Sequence, residues 1–105
     1  MQVQVNTDHN IQGDERLAEI AESIVTDGLG GMSARLSRVE VHLQDVNAGK
    51  GGADDIRCAL EARPEGLRPF GVTHSDGDVD AALRGAVRKL KTRLEREFGR
   101  LNDRH

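Results

Sequence analysis

The stretch from Ser75 to Leu101, SDGDVDAALRGAVRKLKTRLEREFGRL, sets Val79, Leu83, Val87, Leu90, Leu94 and Phe98 three and four residues apart. Residues so spaced share one side of a helix, and an apolar stripe of this length has to be covered by another layer of the same molecule. At about 100° per residue, Arg84, Arg88 and Lys91 fall on one flank of the stripe, and Lys89, Arg93, Arg96 and Arg100 on the other. Ser75 followed three residues later by Asp78 resembles a capping box, and Asp76 and Asp80 suit the positive end of the helix dipole. The helix is therefore expected over about 76–98, with Gly99 as its stop signal.

The remaining segments supply the covering layer. Gln2–Asn6 alternates polar and apolar residues and reads as a strand with Val3 and Val5 on one side. Asp14 is a suitable N-cap for a first helix over about 14–29, whose apolar stripe is Leu17, Ile20, Ala21, Ile24 and Val25. The glycines of DGLGGMS, Asp27–Ser33, are expected to end it. RVEVHLQD at 38–45 alternates again, with Val39, Val41 and Leu43 inward. VNAGKGGAD at 46–54 is a connection rich in turn residues. DIRCALEAR at 55–63 buries Ile56, Cys58, Leu60 and Ala62, and RPFGVTHS at 68–75 adds a fourth strand with Pro69 at its start or on a sheet edge.

The order β-α-β-β-β-α places an antiparallel meander after a helical crossover, and such a crossover favours a parallel first pair. The fold class is thus α+β, a two-layer sandwich with a four-stranded sheet and two helices on one face. Its open sheet face would carry Arg38, Glu40, His42, Arg57, Glu61 and Arg63. At 105 residues a single domain, 1–105, is expected, with a core made of aliphatic side chains because Phe70 and Phe98 are the only aromatics. Cys58 is the one cysteine, which excludes an internal disulfide and fits a reducing compartment. No leader-like segment and no apolar run near 20 residues is visible, so a cytoplasmic location is the expectation.

A net charge of −3 conceals a segregation. From Arg84 onward eight basic residues stand against three acidic ones, whereas residues 1–83 hold fifteen acidic and seven basic. Charge divided in this way suits a polyanionic partner at one end of the molecule. Taken alone, it equally describes a solvated helix face.

Several blocks together resemble the ribosome hibernation-promoting factor family, also called ribosome-associated inhibitor A or sigma-factor modulation proteins. They are QVQVN at 2–6, RVEVHLQD at 38–45, RCALEAR at 57–63, VTHSD at 72–76 and AALRGAVRKLKTRL at 81–94. The resemblance implies a β-α-β-β-β-α fold similar to double-stranded-RNA-binding domains. It also implies a non-enzymatic, cytoplasmic protein that binds the small ribosomal subunit and blocks messenger and transfer RNA access in stationary phase or stress. The chain looks like a short family member, lacking the domain with which long members pair ribosomes. Lys89 sits where the family pattern has its lysine, and Lys91 and Arg93 fall in the basic turn that follows. The chain departs from the pattern in Glu19 and Glu22 on the first helix, in Val79 where a tyrosine is common, and in its negative net charge. The acidic first helix and the net charge favour the alternative reading, a protein–protein interaction module on the same fold that has lost strong ribosome binding, with weak self-association through the open sheet face as one form.

The candidate rRNA-binding set is Arg88, Lys89, Lys91, Arg93, Arg96 and Arg100, each able to neutralise a phosphate without reading sequence. Against each stands pairing with Glu95 or Glu97 along the helix. Arg57 and Arg63 are weaker candidates, since cross-strand pairing with Glu40 or Glu61 would account for them. AGKGGAD at 48–54 fails the phosphate-loop pattern, with Gln44 and Gly51 at the positions that need Gly and Ser or Thr, and only Lys50 could brush a phosphate. His9, His42, His74 and His105 show no metal-ligand spacing, so neither a metal nor another cofactor is expected, and no small-molecule substrate. His74 is expected to bond nearby backbone. Cys58 reads as a small core residue, and no nucleophile-elbow pattern appears.

Overall fold

A computed structural model of the chain describes residues 1–46 and 56–102. The AGKGGAD segment with Lys50, and the terminal Asp103, Arg104 and His105, lie outside the described residues. The elements are β1 (Gln2–Thr7), α1 (Glu15–Leu29), a 3-10 turn (Gly30–Arg35), β2 (Leu36–Asp45), β3 (Ile56–Pro64), β4 (Phe70–Asp76) and α2 (Val79–Asn102). The sheet order is β1-β2-β3-β4, with β1 parallel to β2 and the other two pairs antiparallel. This is the α+β sandwich expected from the alternation, with the meander following the crossover helix.

Register explains why one sheet face is mostly apolar. Val39 lies between Val3 and Ala62, Val41 between Val5 and Leu60, and Leu43 between Thr7 and Cys58. Because side chains alternate, these rows form one face, and both helices cover it. Ala21, Val25 and Leu29 of α1 and Leu83, Leu90 and Leu94 of α2 are buried against it. Burying each leucine stabilises the fold by about 1.5–3 kcal/mol. Phe98 closes the end of this core under Arg35, whose guanidinium carbon stands 3.6 Å from the ring centroid. No buried polar or charged residue occurs among the described residues, so the interior is held by apolar packing, almost all of it aliphatic.

The helix ends differ from expectation in three ways. α2 begins at Val79 rather than 76, because Ser75 and Asp76 continue β4 and pair with Arg57 and Ile56. The cap is Asp78, which accepts from the Ala81 N–H at 2.7 Å, so the Ser75 capping box does not form. α2 also runs through Gly99 to Asn102. A mid-helix glycine costs about 1 kcal/mol relative to alanine, and Phe98 and Leu101 on either side pack on the core and hold the last turn in place.

α1 ends as the caps dictate. Asp14 accepts from the Leu17 N–H at 2.9 Å, and Gly30, at φ +59°, closes the helix by donating its N–H to the Thr26 carbonyl. Gly28, expected to help end the helix, lies inside it. A Cβ there would collide with Cγ1 of Val87, so this glycine lets α2 approach α1.

Candidate nucleic-acid interface

The long stripe of α2 faces the sheet, which turns its cations outward along two edges. Arg88, Lys89, Lys91, Arg96 and Arg100 are exposed and Arg93 is half-buried. On the β4 side, Arg88, Lys89, Arg93 and Arg96 line a groove with Val72 and Thr92, and no carboxylate contributes to it. On the α1 side, Arg84, Arg88 and Lys91 border a second cleft that also holds Glu19 and Asp27. Arg88 borders both. The six candidate residues therefore do not form one patch: the structure sets Arg88, Lys89, Arg93 and Arg96 along a groove without carboxylates and Lys91, with Arg88, along a mixed one, and Arg100 lines neither.

Their partners divide them again. Arg93 Nε and Arg100 Nη1 each lie 3.6 Å from the same Glu97 oxygen, Oε1, so two cations share one carboxylate and keep one net positive charge. Arg93 also stacks over Phe70, 4.4 Å from the ring centroid, and its buried Nε has no hydrogen-bond acceptor. This arginine is anchored by the protein. Lys89 gives one of its donors to the Thr73 carbonyl at 3.0 Å, which ties the helix to the edge strand and leaves its charge uncancelled. Among the described residues Arg88, Lys91 and Arg96 have no carboxylate within 4.0 Å, and Glu95 has no cation within that distance. Exposed pairs such as those of Glu97 are worth about 0–1 kcal/mol, so they orient Arg93 and Arg100 more than they neutralise them.

The start of α2 is acidic. Arg84 bonds Asp80 at 3.0 Å, one helical turn away. His74 lies on the helix-covered face of β4, where its ring rests on Gly85 of α2; a Cβ at position 85 would collide with the imidazole. Its Nε2 is 3.2 Å from Asp76 Oδ2, so it bonds a carboxylate rather than the expected backbone. The Gly77 N–H, donating at 2.8 Å, and then the His74 contact hold the Asp76 carboxyl below its ordinary value. A phosphate approaching this end meets negative charge. The body of the helix is the accessible cationic surface.

The open sheet face is arranged differently from the sequence reading. Arg38, not Arg57 or Arg63, reaches Glu40, at 3.5 Å, and it also donates to Gln4. Among the described residues Arg57, Arg63 and Glu61 make no ion pair. The register sets Glu61 directly opposite Glu40, and one ligand atom each from Glu40, His42 and Glu61 falls within 4.8 Å of the others. Spacing along the chain missed this convergence, because Glu61 comes from the neighbouring strand. Alternation could have found it once the β2–β3 register was known. Three arginines on the same face oppose a cation there. Cys58 is fully buried, and burial pushes its thiol up to about 12, far from a reactive thiolate.

No family model matches the chain, and no curated protein does. Solved structures do. A ribosomal subunit interface protein from Coxiella burnetii superposes with a TM-score of 0.75 at 12% identity, covering 94% of this chain and 99% of that one. The N-terminal domain of Protein Y from Thermus thermophilus gives 0.71 at 22% identity, covering 91% and 98%. The chain has the fold of these two proteins. That is the β-α-β-β-β-α architecture the resemblance of the sequence blocks implies, and the coverage leaves little of either fold unmatched. At these identities the fold is what is shared, and the cations of α2 have to be judged on their own surroundings. Among the described residues, no helix is long and apolar enough to cross a membrane.

Proposed function

We propose that residues 1–105 form one domain that binds the small ribosomal subunit through α2 and silences translation by blocking messenger and transfer RNA access under stress. On this reading it acts in the cytoplasm and catalyses no reaction. The observation that carries the proposal is the row Arg88, Lys89 and Arg96, exposed along a groove without a carboxylate in its lining. Such a row can follow a phosphate backbone, and its contacts position the protein without reading bases. Support also comes from the fold shared with a ribosomal subunit interface protein and with Protein Y.

The geometry favours the β4-side groove over the inter-helix cleft as the phosphate track. Glu19 and Asp27 stand in that cleft and repel a polyanion, whereas the other groove is bordered by cations, Val72 and Thr92. With only two aromatic residues, one of them under Arg93 and the other under Arg35, base stacking has no platform. Docking is therefore led by charge and shape.

The test is co-pelleting of purified protein with small subunits. The triple substitution Arg88→Glu, Lys89→Glu, Arg96→Glu is expected to abolish pelleting while circular dichroism and thermal unfolding stay close to the parent. Undiminished pelleting of the folded triple variant refutes the assignment of this groove.

A further inference from the structure

Gly28 admits Val87 where the two helices meet. Beside that contact a cleft of about 720 Å³ opens to solvent. Ile20, Ile24 and Val87 give it an apolar lining, and Ile20 is 43% exposed. It is the one large apolar residue of a helix left this exposed among the described residues. Glu19 and Asp27 form one wall, and Arg84, Arg88 and Lys91 form the other. Among the described residues no ion pair crosses between the walls: Arg84 turns to Asp80 on its own helix, and Arg88 and Lys91 have no carboxylate within 4.0 Å.

We propose that a second copy of this chain covers the cleft, in a homodimer whose two-fold axis runs along it. Rotation about that axis exchanges the walls, so Glu19 and Asp27 of each copy face the cationic wall of the other, and both Ile20 side chains leave water. An isologous contact needs a surface complementary to itself, and an apolar strip between one acidic and one basic wall has that property. RNA would meet the acidic wall, and a peptide of one sign would be repelled by one side or the other. The surface is small, so association is weak and most of its specificity is electrostatic. The dimer covers Arg88 and Lys91. If α2 is the ribosome-binding element, as proposed above, self-association and ribosome binding exclude one another. That consequence rests on the ribosomal reading; the dimer does not.

Sedimentation equilibrium of the full chain without ribosomes, from about 1 to 500 μM, tests it. The parent protein is expected to show a monomer–dimer equilibrium that weakens at least about tenfold when salt rises from 50 to 500 mM. Glu19→Lys with Asp27→Lys, and separately Arg88→Glu with Lys91→Glu, should each be monomeric, because each makes both walls alike in sign. Mixing the two variants should restore a dimer, and Ile20→Asp in both should abolish that restored dimer. All these positions are exposed, and circular dichroism checks that each variant is folded. A parent protein monomeric throughout the range overturns the proposal, whatever the variants do. So does self-association that survives both wall reversals, which would place the contact elsewhere, or a mixture that stays monomeric. Because ribosomes are absent, failure here leaves the ribosomal proposal standing, and failure to pellet with ribosomes leaves this one standing.

Discussion

The salt dependence of ribosome binding can be worked out from the charges that α2 leaves uncancelled. Among the described residues Arg88, Lys89 and Arg96 of the β4-side groove make no ion pair, and Arg93 with Arg100 around Glu97 adds one net charge, for about four phosphates neutralised. Each releases roughly 0.7–0.9 of a counterion, so the slope of log K against log salt should be about −2.8 to −3.6. Raising salt fourfold, from 50 to 200 mM, should then weaken binding roughly 50- to 150-fold. Fluorescence anisotropy of labelled protein titrated with small subunits reads this slope directly. Glu97→Gln is the discriminating variant, since it frees both arginines and should steepen the slope by about one, against the usual direction of a substitution at an interface. Arg96→Gln should make it shallower by about the same amount. A parent slope shallower than about −2, or a Glu97→Gln slope equal to the parent's, refutes the assignment of these cations to phosphate contact.

Two further outcomes concern the fold that presents the helix. Gly28→Val should lower stability by about 1–3 kcal/mol, because the new side chain collides with Val87 of α2, and thermal unfolding should show a fall of roughly 4–8 °C per kcal/mol. Asp76 is held below its ordinary value of 3.8, so it favours the folded state above that pH, and its contribution is lost as pH falls through the lowered value. Asp76→Asn should accordingly flatten the acid limb of the stability profile below about pH 4 and change little in the basic limb. An unchanged acid limb, measured by urea unfolding at a series of pH values, would contradict the bonds from Gly77 and His74 as its cause.

Much of the architecture was legible because the governing signals are local. Alternation in RVEVHLQD and IRCALEAR marked strands and their buried faces, and the three- and four-residue spacing from Val79 to Phe98 marked the long helix. Boundaries were less legible where two local preferences compete. Ser75 and Asp76 have capping chemistry, yet pairing with β3 claims them, since strand hydrogen bonds satisfy backbone groups that a cap would leave to water. Glycine was the most misleading letter. Gly28 and Gly99 read as stops and lie within helices, the first because α2 needs the space of a missing side chain.

The candidate site was legible as a list and not as a surface. Pairing with Glu95 and with Glu97 looked equally open along the helix, and among the described residues the structure pairs two arginines with Glu97 and none with Glu95. By itself, the order of residues determined the elements, the apolar face of each and the segregation of charge toward the last helix, because periodicity and composition are properties of neighbours in the chain. Which cations stay free, which stack on the two rings and which stand across a cleft from Glu19 and Asp27 was decided only by tertiary structure. Those facts depend on how α2 is rotated and set against β4 and α1, and packing between distant segments determines that rotation.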